Sequence, residues 1–226
     1  MKSQFRTITL LCVGSGIAFA ALTAPGQATG FYVRGDFGGQ VTQDVSLQSF
    51  FGEPLAPNAK VKFDPGIRLA FAGGYHVTDW FGAEVETGVM ANNISSITGA
   101  SRVDNATFSN VPFLLNARFE CPSKKFPVSP YFGGGLGMSA SSIDADHIDL
   151  GGTSYEGSMS TVVFAYQAFG GLRFRINDRM GVSLEYHYFA TTDSSWDVGS
   201  SASTSNKMKI AGTQTHAASV AFVFRF

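Results

Sequence analysis

Residues 218–226, Ala-Ser-Val-Ala-Phe-Val-Phe-Arg-Phe, place an apolar side chain at every second position and end on an aromatic residue. One face of this segment carries Ala218, Val220, Phe222, Phe224 and Phe226, and the opposite face carries Ser219 and Arg225. Successive side chains of a β-strand point to opposite sides, so a period of two residues indicates a strand. The segment predicts a strand that lies between a polar and an apolar environment.

The same alternation occurs in seven earlier segments of the chain. The eight segments together are residues 31–41, 67–77, 81–89, 110–120, 131–138, 164–176, 182–188 and 218–226. Amphipathic helices would instead show apolar residues spaced three to four positions apart, and no such spacing is sustained anywhere. The pattern predicts an all-β fold of eight antiparallel strands.

The charged residues of these segments all fall on the face opposite the apolar one. They are Arg34, Asp36, Arg68, Glu84, Glu86, Arg118, Glu120, Arg173, Arg175, Glu185 and Arg225. A soluble sandwich or lipocalin-like barrel would turn these charges to water, whereas a membrane barrel would turn them into its lumen. Alternation alone leaves both architectures open.

The lengths of the links between the segments favour the membrane barrel. Long links, at roughly residues 42–61, 91–106, 140–160 and 190–208, alternate with short turns around residues 78–79, 122–127 and 177–178. Outer-membrane barrels have long extracellular loops and short periplasmic turns. We therefore expect an up-and-down transmembrane barrel with four long extracellular loops and both ends of the mature chain in the periplasm.

The N-terminal segment has the layout of a cleavable export signal. Lys2 and Arg6 precede an uncharged apolar stretch at residues 7–22, and small residues follow up to Ala28. This layout predicts a signal peptide at residues 1–28 and a barrel domain at residues 29–226, with Ala20 and Ala24 as alternative cleavage positions. Removal of the signal peptide would leave Cys121 as the only thiol, so no disulfide within the chain is expected.

The composition excludes several other classes of protein. The formal net charge is −1, and removal of Lys2 and Arg6 with the signal peptide would leave −3, so nucleic acid is not an expected partner. The chain contains 26 Gly and 21 Phe, but no long apolar segment follows residue 28. A bundle of membrane helices is therefore excluded.

Several stretches resemble a known family of membrane proteins. Residues 73–88 (GGYHVTDWFGAEVETG), 111–119 and 130–137 (PYFGGGLG), with the aromatic final strand, resemble the small outer-membrane barrel domain often labelled OmpA-like, opacity-protein-like or "porin family". The resemblance covers essentially all of residues 29–226 and implies location in the outer membrane of a Gram-negative bacterium. It also implies that Phe222, Phe224 and Phe226 form the signal that the outer-membrane assembly machinery recognises.

The polar faces predict how the lumen is filled. The interior of an eight-stranded barrel is just wide enough for side chains. Counting along the strands brings the inward charges to a similar depth, and the cations among them are arginines, which can each bind two carboxylates. We expect a cross-linked plug formed by Arg34, Asp36, Arg68, Glu84, Glu86, Arg118, Arg173 and Glu185.

Two clusters raise the question of a catalytic or metal site. His187 lies near Glu185, Asp193, Ser194 and Ser195, but it lacks the serine that lipid A deacylase-like barrels place close behind their histidine. A second cluster, at residues 144–149, contains three aspartates and a histidine, but it lacks the glycine and terminal glutamate of a helix–loop–helix calcium site. We therefore assign no catalytic, cofactor or metal residues.

Three classes of function remain. We expect first a structural or surface-interaction barrel that contacts outer-membrane lipids, lipopolysaccharide and an extracellular ligand or host surface through its long loops. The second class is a narrow porin-like channel for small solutes or ions. The third and most distant is an outer-membrane lipid-modifying enzyme.

Overall fold

The computed structural model describes residues 30–121, 127–197 and 207–226, and these residues form thirteen β-strands. The strands are β1 (Gly30–Thr42), β2 (Val45–Phe50), β3 (Lys60–Phe63), β4 (Gly66–His76), β5 (Phe81–Ile97), β6 (Ala100–Asp104), β7 (Thr107–Glu120), β8 (Val128–Leu150), β9 (Thr153–Arg175), β10 (Met180–Thr191), β11 (Ser194–Asp197), β12 (Lys207–Ile210) and β13 (Gln214–Arg225). The expected signal peptide lies outside the described residues. Within the described residues no helix is long and apolar enough to cross a membrane.

Eight of the strands close into a ring, so the expected eight-stranded antiparallel barrel is confirmed. The order around the ring is β1, β4, β5, β7, β8, β9, β10 and β13, and each strand pairs antiparallel with the next. The ring closes where β13 pairs with β1, from Tyr32–Arg225 to Thr42–Thr215. Closure pairs the backbone groups that an open edge would leave exposed, which is a requirement in lipid.

The structure shows that the apolar face of each barrel strand points outward and the polar face points into the lumen. Large apolar side chains point outward, and Phe113 and Phe222 are each 65% exposed. Most of the charged residues expected on the inner face, among them Arg34 and Glu86, point inward and are buried, whereas Arg175 is exposed and Arg225 half-buried at the strand ends. An exterior of this kind is stable in lipid rather than in water, so the membrane interpretation of the alternation is the correct one.

At one end of the barrel the alternation continues but the chemistry of the two faces is exchanged. On β8, Met138 points outward and Ser141 inward, whereas farther along Asp144 points outward and Ile143 inward. On β5 the same exchange separates Val89, which is outward, from Ile94, which is inward. The wall therefore passes at this level from a lipid environment to an aqueous one.

The long links, which the sequence predicts only as extracellular loops, contain much β-structure. They form β2, β3, β6, β11 and β12 and lengthen β5, β8 and β9, and together they build an extension that we call the cap (residues 45–63, 93–108, 142–160, 194–197 and 207–210). β12 pairs with both β11 and β2, β3 pairs with β5, and β6 pairs with β8. The inward side chains of the cap form an apolar cluster that includes Phe50, Ile148, Trp196 and Met208, each at most 1% exposed.

Candidate functional site

Arg34 lies at the centre of a buried ion network in the lumen. The alternation of β1 directs Arg34 and Asp36 inward, and the Arg34 side chain is fully buried. Its Nη1 donates to Glu185 Oε2 at 2.6 Å and to Asp36 Oδ2 at 2.9 Å. Its Nη2 donates to Glu86 Oε2 at 2.8 Å and lies 3.4 Å from Glu84 Oε2. One guanidinium thus joins four carboxylates from three strands.

Two further arginines extend the network. Arg68 donates from Nε to Asp36 Oδ1 at 3.1 Å and from Nη2 to Glu86 Oε1 at 2.5 Å. Arg118 Nη1 donates to Glu84 Oε1 at 3.0 Å, and Arg118 Nη2 lies 3.9 Å from Glu185 Oε1. The result is a continuous set of ion pairs across the lumen. Replacing a whole set of buried ion pairs by apolar groups can leave stability unchanged. Removing one member lowers stability because it leaves a buried charge without its partner.

Neutral polar side chains complete the shell around the carboxylates. Tyr32 donates its hydroxyl to Glu84 Oε1 at 2.6 Å, while Asn116 and Gln167 each donate to Glu86 Oε2 at 2.9 Å. His187 Nε2 lies 3.0 Å from Glu185 Oε2, and because a carboxylate only accepts, Nε2 carries the hydrogen. These four residues were not assigned to the network from sequence, although each lies on the inward face of its strand.

Two glycines make room for aromatic rings inside the lumen. Tyr32 pairs across the strands with Gly74, and a Cβ on Gly74 would collide with the Tyr32 ring. Tyr131 stands in the same relation to Gly171 on the other side of the barrel. The Tyr131 ring lies 3.7 Å from the guanidinium carbon of Arg118, which places the cation over its face.

Arg173, which was expected to belong to the network, lies apart from it. In the pairing of β9 with β10, Arg173 stands opposite Ser183, whereas Glu185 stands opposite Gly171. Arg173 is therefore two residues nearer to the end of the barrel that has short turns, which we call the turn end. Its partner there is Glu120, whose Oε2 lies 2.7 Å from Arg173 Nη1 and 3.7 Å from Arg225 Nη2.

Two layers separate the ion network from the core of the cap. The first is an apolar layer of Met90, Leu114, Ala165 and Phe189. The second is a collar of hydrogen bonds, in which Gln40 and Thr42 donate to Asn92 at 2.5 Å and 2.9 Å, and Ser141 donates to Asn110 at 2.5 Å. Trp196 in the cap donates Nε1 to the Ser141 carbonyl at 3.0 Å and so ties the collar to the cap.

The residues considered for catalysis have separate partners. His187 contacts Glu185 in the lumen, whereas Asp193 accepts hydrogen bonds from Gln48 Nε2 at 3.1 Å and from the Gly212 backbone N–H at 3.0 Å. The Gln48 hydrogen bond is the main cause that lowers the pKa of Asp193 below its usual value. No hydrogen bond found among the described residues joins Asp193 to His187.

Three members of the candidate metal cluster in the third long link already have polar partners. Asp146 accepts from Asn105 Nδ2 at 2.7 Å, and His147 Nε2 lies 3.2 Å from Asp149 Oδ1. In the part of the chain that the structure describes, the close group of possible metal ligands is instead Asp36, Glu185 and His187. Arg34 already donates to both of these carboxylates, so a guanidinium occupies the position that a cation would need.

The aromatic residues of the last strand lie on the outer face of the barrel. Phe222 and Phe226 are 65% and 61% exposed, and Phe224 is partly covered by Phe226, with ring centroids 5.3 Å apart. They lie at the turn end, where β13 meets β1. Their recognition by an assembly machinery stays a prediction.

Comparison with known proteins agrees with this geometry. The model of the outer membrane protein beta-barrel domain matches residues 9–226 of the chain. The chain belongs to this family of outer-membrane barrel proteins. Membership of this family places the protein in the outer membrane. No curated protein matches the chain.

Solved structures with the same fold include three small outer-membrane proteins. Neisserial surface protein A is 14% identical, with a TM-score of 0.54 and coverage of 87% of this chain and 97% of that protein. OprG from Pseudomonas aeruginosa is 16% identical, with a TM-score of 0.57 and coverage of 88% and 98%. AlkL, solved in lipid bilayers, is 17% identical, with a TM-score of 0.51 and coverage of 92% and 95%. At these identities the likeness shows the fold alone.

Proposed function

We propose that this outer-membrane barrel is a structural and surface-interaction protein. Its lumen is closed, and its extracellular cap contacts lipopolysaccharide and an extracellular ligand or host surface. The observation that carries the proposal is the cap itself. Eighteen buried apolar residues of the described chain form its core, so the long links are a folded body and not four independent loops. A preorganised surface of this kind loses little conformational entropy on binding.

The filled lumen supports a non-conducting barrel. Arg34 contacts four carboxylates, and the Met90–Phe189 layer and the hydrogen-bonded collar lie between this network and the cap. A conducting pore would need a continuous polar path past an apolar layer whose four members are at most 2% exposed. We therefore favour a plug over a channel wall.

The base of the cap is the proposed site of contact with lipopolysaccharide. Lys60 and Lys62 are both exposed and share one outward face of β3, while Val61 between them is 1% exposed and packs in the cap core. β3 pairs with β5 directly above the level where the outward face changes from apolar to polar. Two cations at this level suit the anionic groups of lipopolysaccharide.

A deletion strain tests the proposal. We expect loss of the protein to change the adhesion of cells to a host-cell or matrix surface, or the integrity of the outer membrane, without lowering the uptake of small solutes. Complementation with the wild-type gene should restore the phenotype. A variant with Lys60→Gln and Lys62→Gln should restore it incompletely, and the matched control Lys209→Gln, a partly exposed lysine 3.7 Å from Asp193, should restore it fully.

The other two functions predict different results from the same strain. A selective loss of small-solute uptake, with adhesion and integrity unchanged, would favour a narrow channel. A changed mass spectrum of lipid A would favour a lipid-modifying enzyme. Either result would contradict the surface-interaction proposal.

A further inference from the structure

The lumen opens at the turn end into a cavity of about 220 Å³ whose walls are rich in arginine. Arg173 and Arg225 contribute from the strands, and Arg175 and Arg179 from the strand end and the turn between β9 and β10. The acidic residues of the lining are Glu120, Asp79 and Asp178. Among the described lining residues, four guanidiniums thus face three carboxylates.

Arg173 is buried in this cavity with unused donors. Its side chain is 5% exposed, and none of its three guanidinium nitrogens has a hydrogen-bond partner among the residues that the structure describes. The contact of Nη1 with Glu120 Oε2 is close enough for an ion pair, but its geometry does not make a hydrogen bond. His76 Nε2 in the same cavity likewise has no hydrogen-bond partner within the described part of the chain. Buried donors in proteins nearly always have an acceptor, and a polar occupant of this cavity would supply one.

The cavity lies at the level of lipid headgroups. Trp80, 56% exposed, follows Asp79 in the turn between β4 and β5, and its ring stacks on Phe119, which in turn stacks on Phe132. Bands of aromatic residues mark the two membrane–water interfaces of barrels. An occupant can therefore come from water or from the headgroups of the adjacent leaflet.

We propose that this cavity is a binding site for a phosphate group, either a soluble phosphate or the headgroup phosphate of a phospholipid. The planar fork of a guanidinium donates two parallel hydrogen bonds to phosphate oxygens. Arg173 binds the phosphate from the floor of the cavity, and Arg225, whose side chain is 38% exposed, binds it from the side. The phosphate oxygens supply the acceptors that Arg173 lacks.

Calorimetric titration of the purified full chain in a phosphate-free maltoside detergent tests this site. One arm uses inorganic phosphate, and the other uses short-chain phosphatidylglycerol below its micelle concentration. Saturable binding in the first arm identifies a soluble anion, and saturable binding in the second arm alone identifies a headgroup. Arg173→Gln and Arg225→Gln should each weaken the binding about tenfold or more, since each removes charge-assisted hydrogen bonds.

Arg102→Gln is the matched control, because Arg102 is an exposed arginine in the cap, on β6. It should bind as tightly as the wild type. If Arg173→Gln does not fold, as judged by heat-modifiable migration, Arg225→Gln decides alone. No saturable binding in either arm, or equal binding by wild type and the Arg225→Gln or Arg173→Gln variant, would overturn the proposal and leave water as the occupant.

Discussion

Replacing Arg34 by methionine removes the guanidinium that four lumen carboxylates share. Removing one partner of a buried ion pair costs about 3–5 kcal/mol. Each carboxylate keeps another donor: Arg68 for Asp36 and Glu86, Arg118 for Glu84, and His187 for Glu185. We therefore expect the lower part of that range, about 3 kcal/mol, in the free energy of unfolding. The assay is urea-induced unfolding of the barrel in liposomes, followed by heat-modifiable migration.

Two further variants show whether the loss comes from the buried charge. Arg102→Met removes an arginine whose side chain is 57% exposed and pairs with Asp104, and it should leave the stability of the barrel essentially unchanged because exposed ion pairs contribute little. Glu185→Gln, combined with Arg34→Met, should restore part of the lost free energy of unfolding. Without Arg34, Glu185 keeps only His187 and a distant Arg118 as partners, and the substitution removes its buried negative charge. Equal stability of Arg34→Met and Arg102→Met, or no coupling between Arg34 and Glu185, would refute this account of the lumen.

Three further predictions concern the cap, the topology and the lipid-facing surface. Trp196→Ala should destabilise the cap by about 3–5 kcal/mol and make it sensitive to protease while the barrel below it stays folded; unchanged protease resistance would contradict a cap core. Cys121, exposed at the turn end, should react with a membrane-impermeant maleimide only after the outer membrane is permeabilised, and labelling of intact cells would reverse the orientation. Replacing Phe222 and Phe224 by serine should reduce the amount of folded protein in the outer membrane without changing its synthesis, and normal accumulation would show that these rings are dispensable.

The barrel could be predicted from the sequence because lipid imposes a simple rule on every strand. Each strand must keep charge off its outer face, so a period of two residues is visible in all eight segments. The same rule predicts that Arg34 and Glu84 face one another in the lumen, since the narrow interior brings all inward side chains together. The structure brings seven of the eight residues of the expected network together.

The cap could not be predicted because the rule changes where the lipid ends. Ile94 and Ile143 continue the inward phase of β5 and β8, but water now surrounds the wall and the inside is apolar. Where the apolar and polar faces of a strand change sides partway along it, the alternation in the sequence is interrupted, and the segment is easily mistaken for a loop. The depth of Arg173 was also hidden, because it depends on the register between neighbouring strands, and the sequence does not give this register.

Single-channel recording of the purified protein in a planar bilayer is the most direct test of a closed lumen. We predict no stable conductance steps for the unmodified barrel. Glu84→Ala, which removes a carboxylate that binds Tyr32 and Arg118, should loosen the network and produce brief or irregular openings. Stable steps of uniform size from the unmodified protein would contradict the plug and establish a pore.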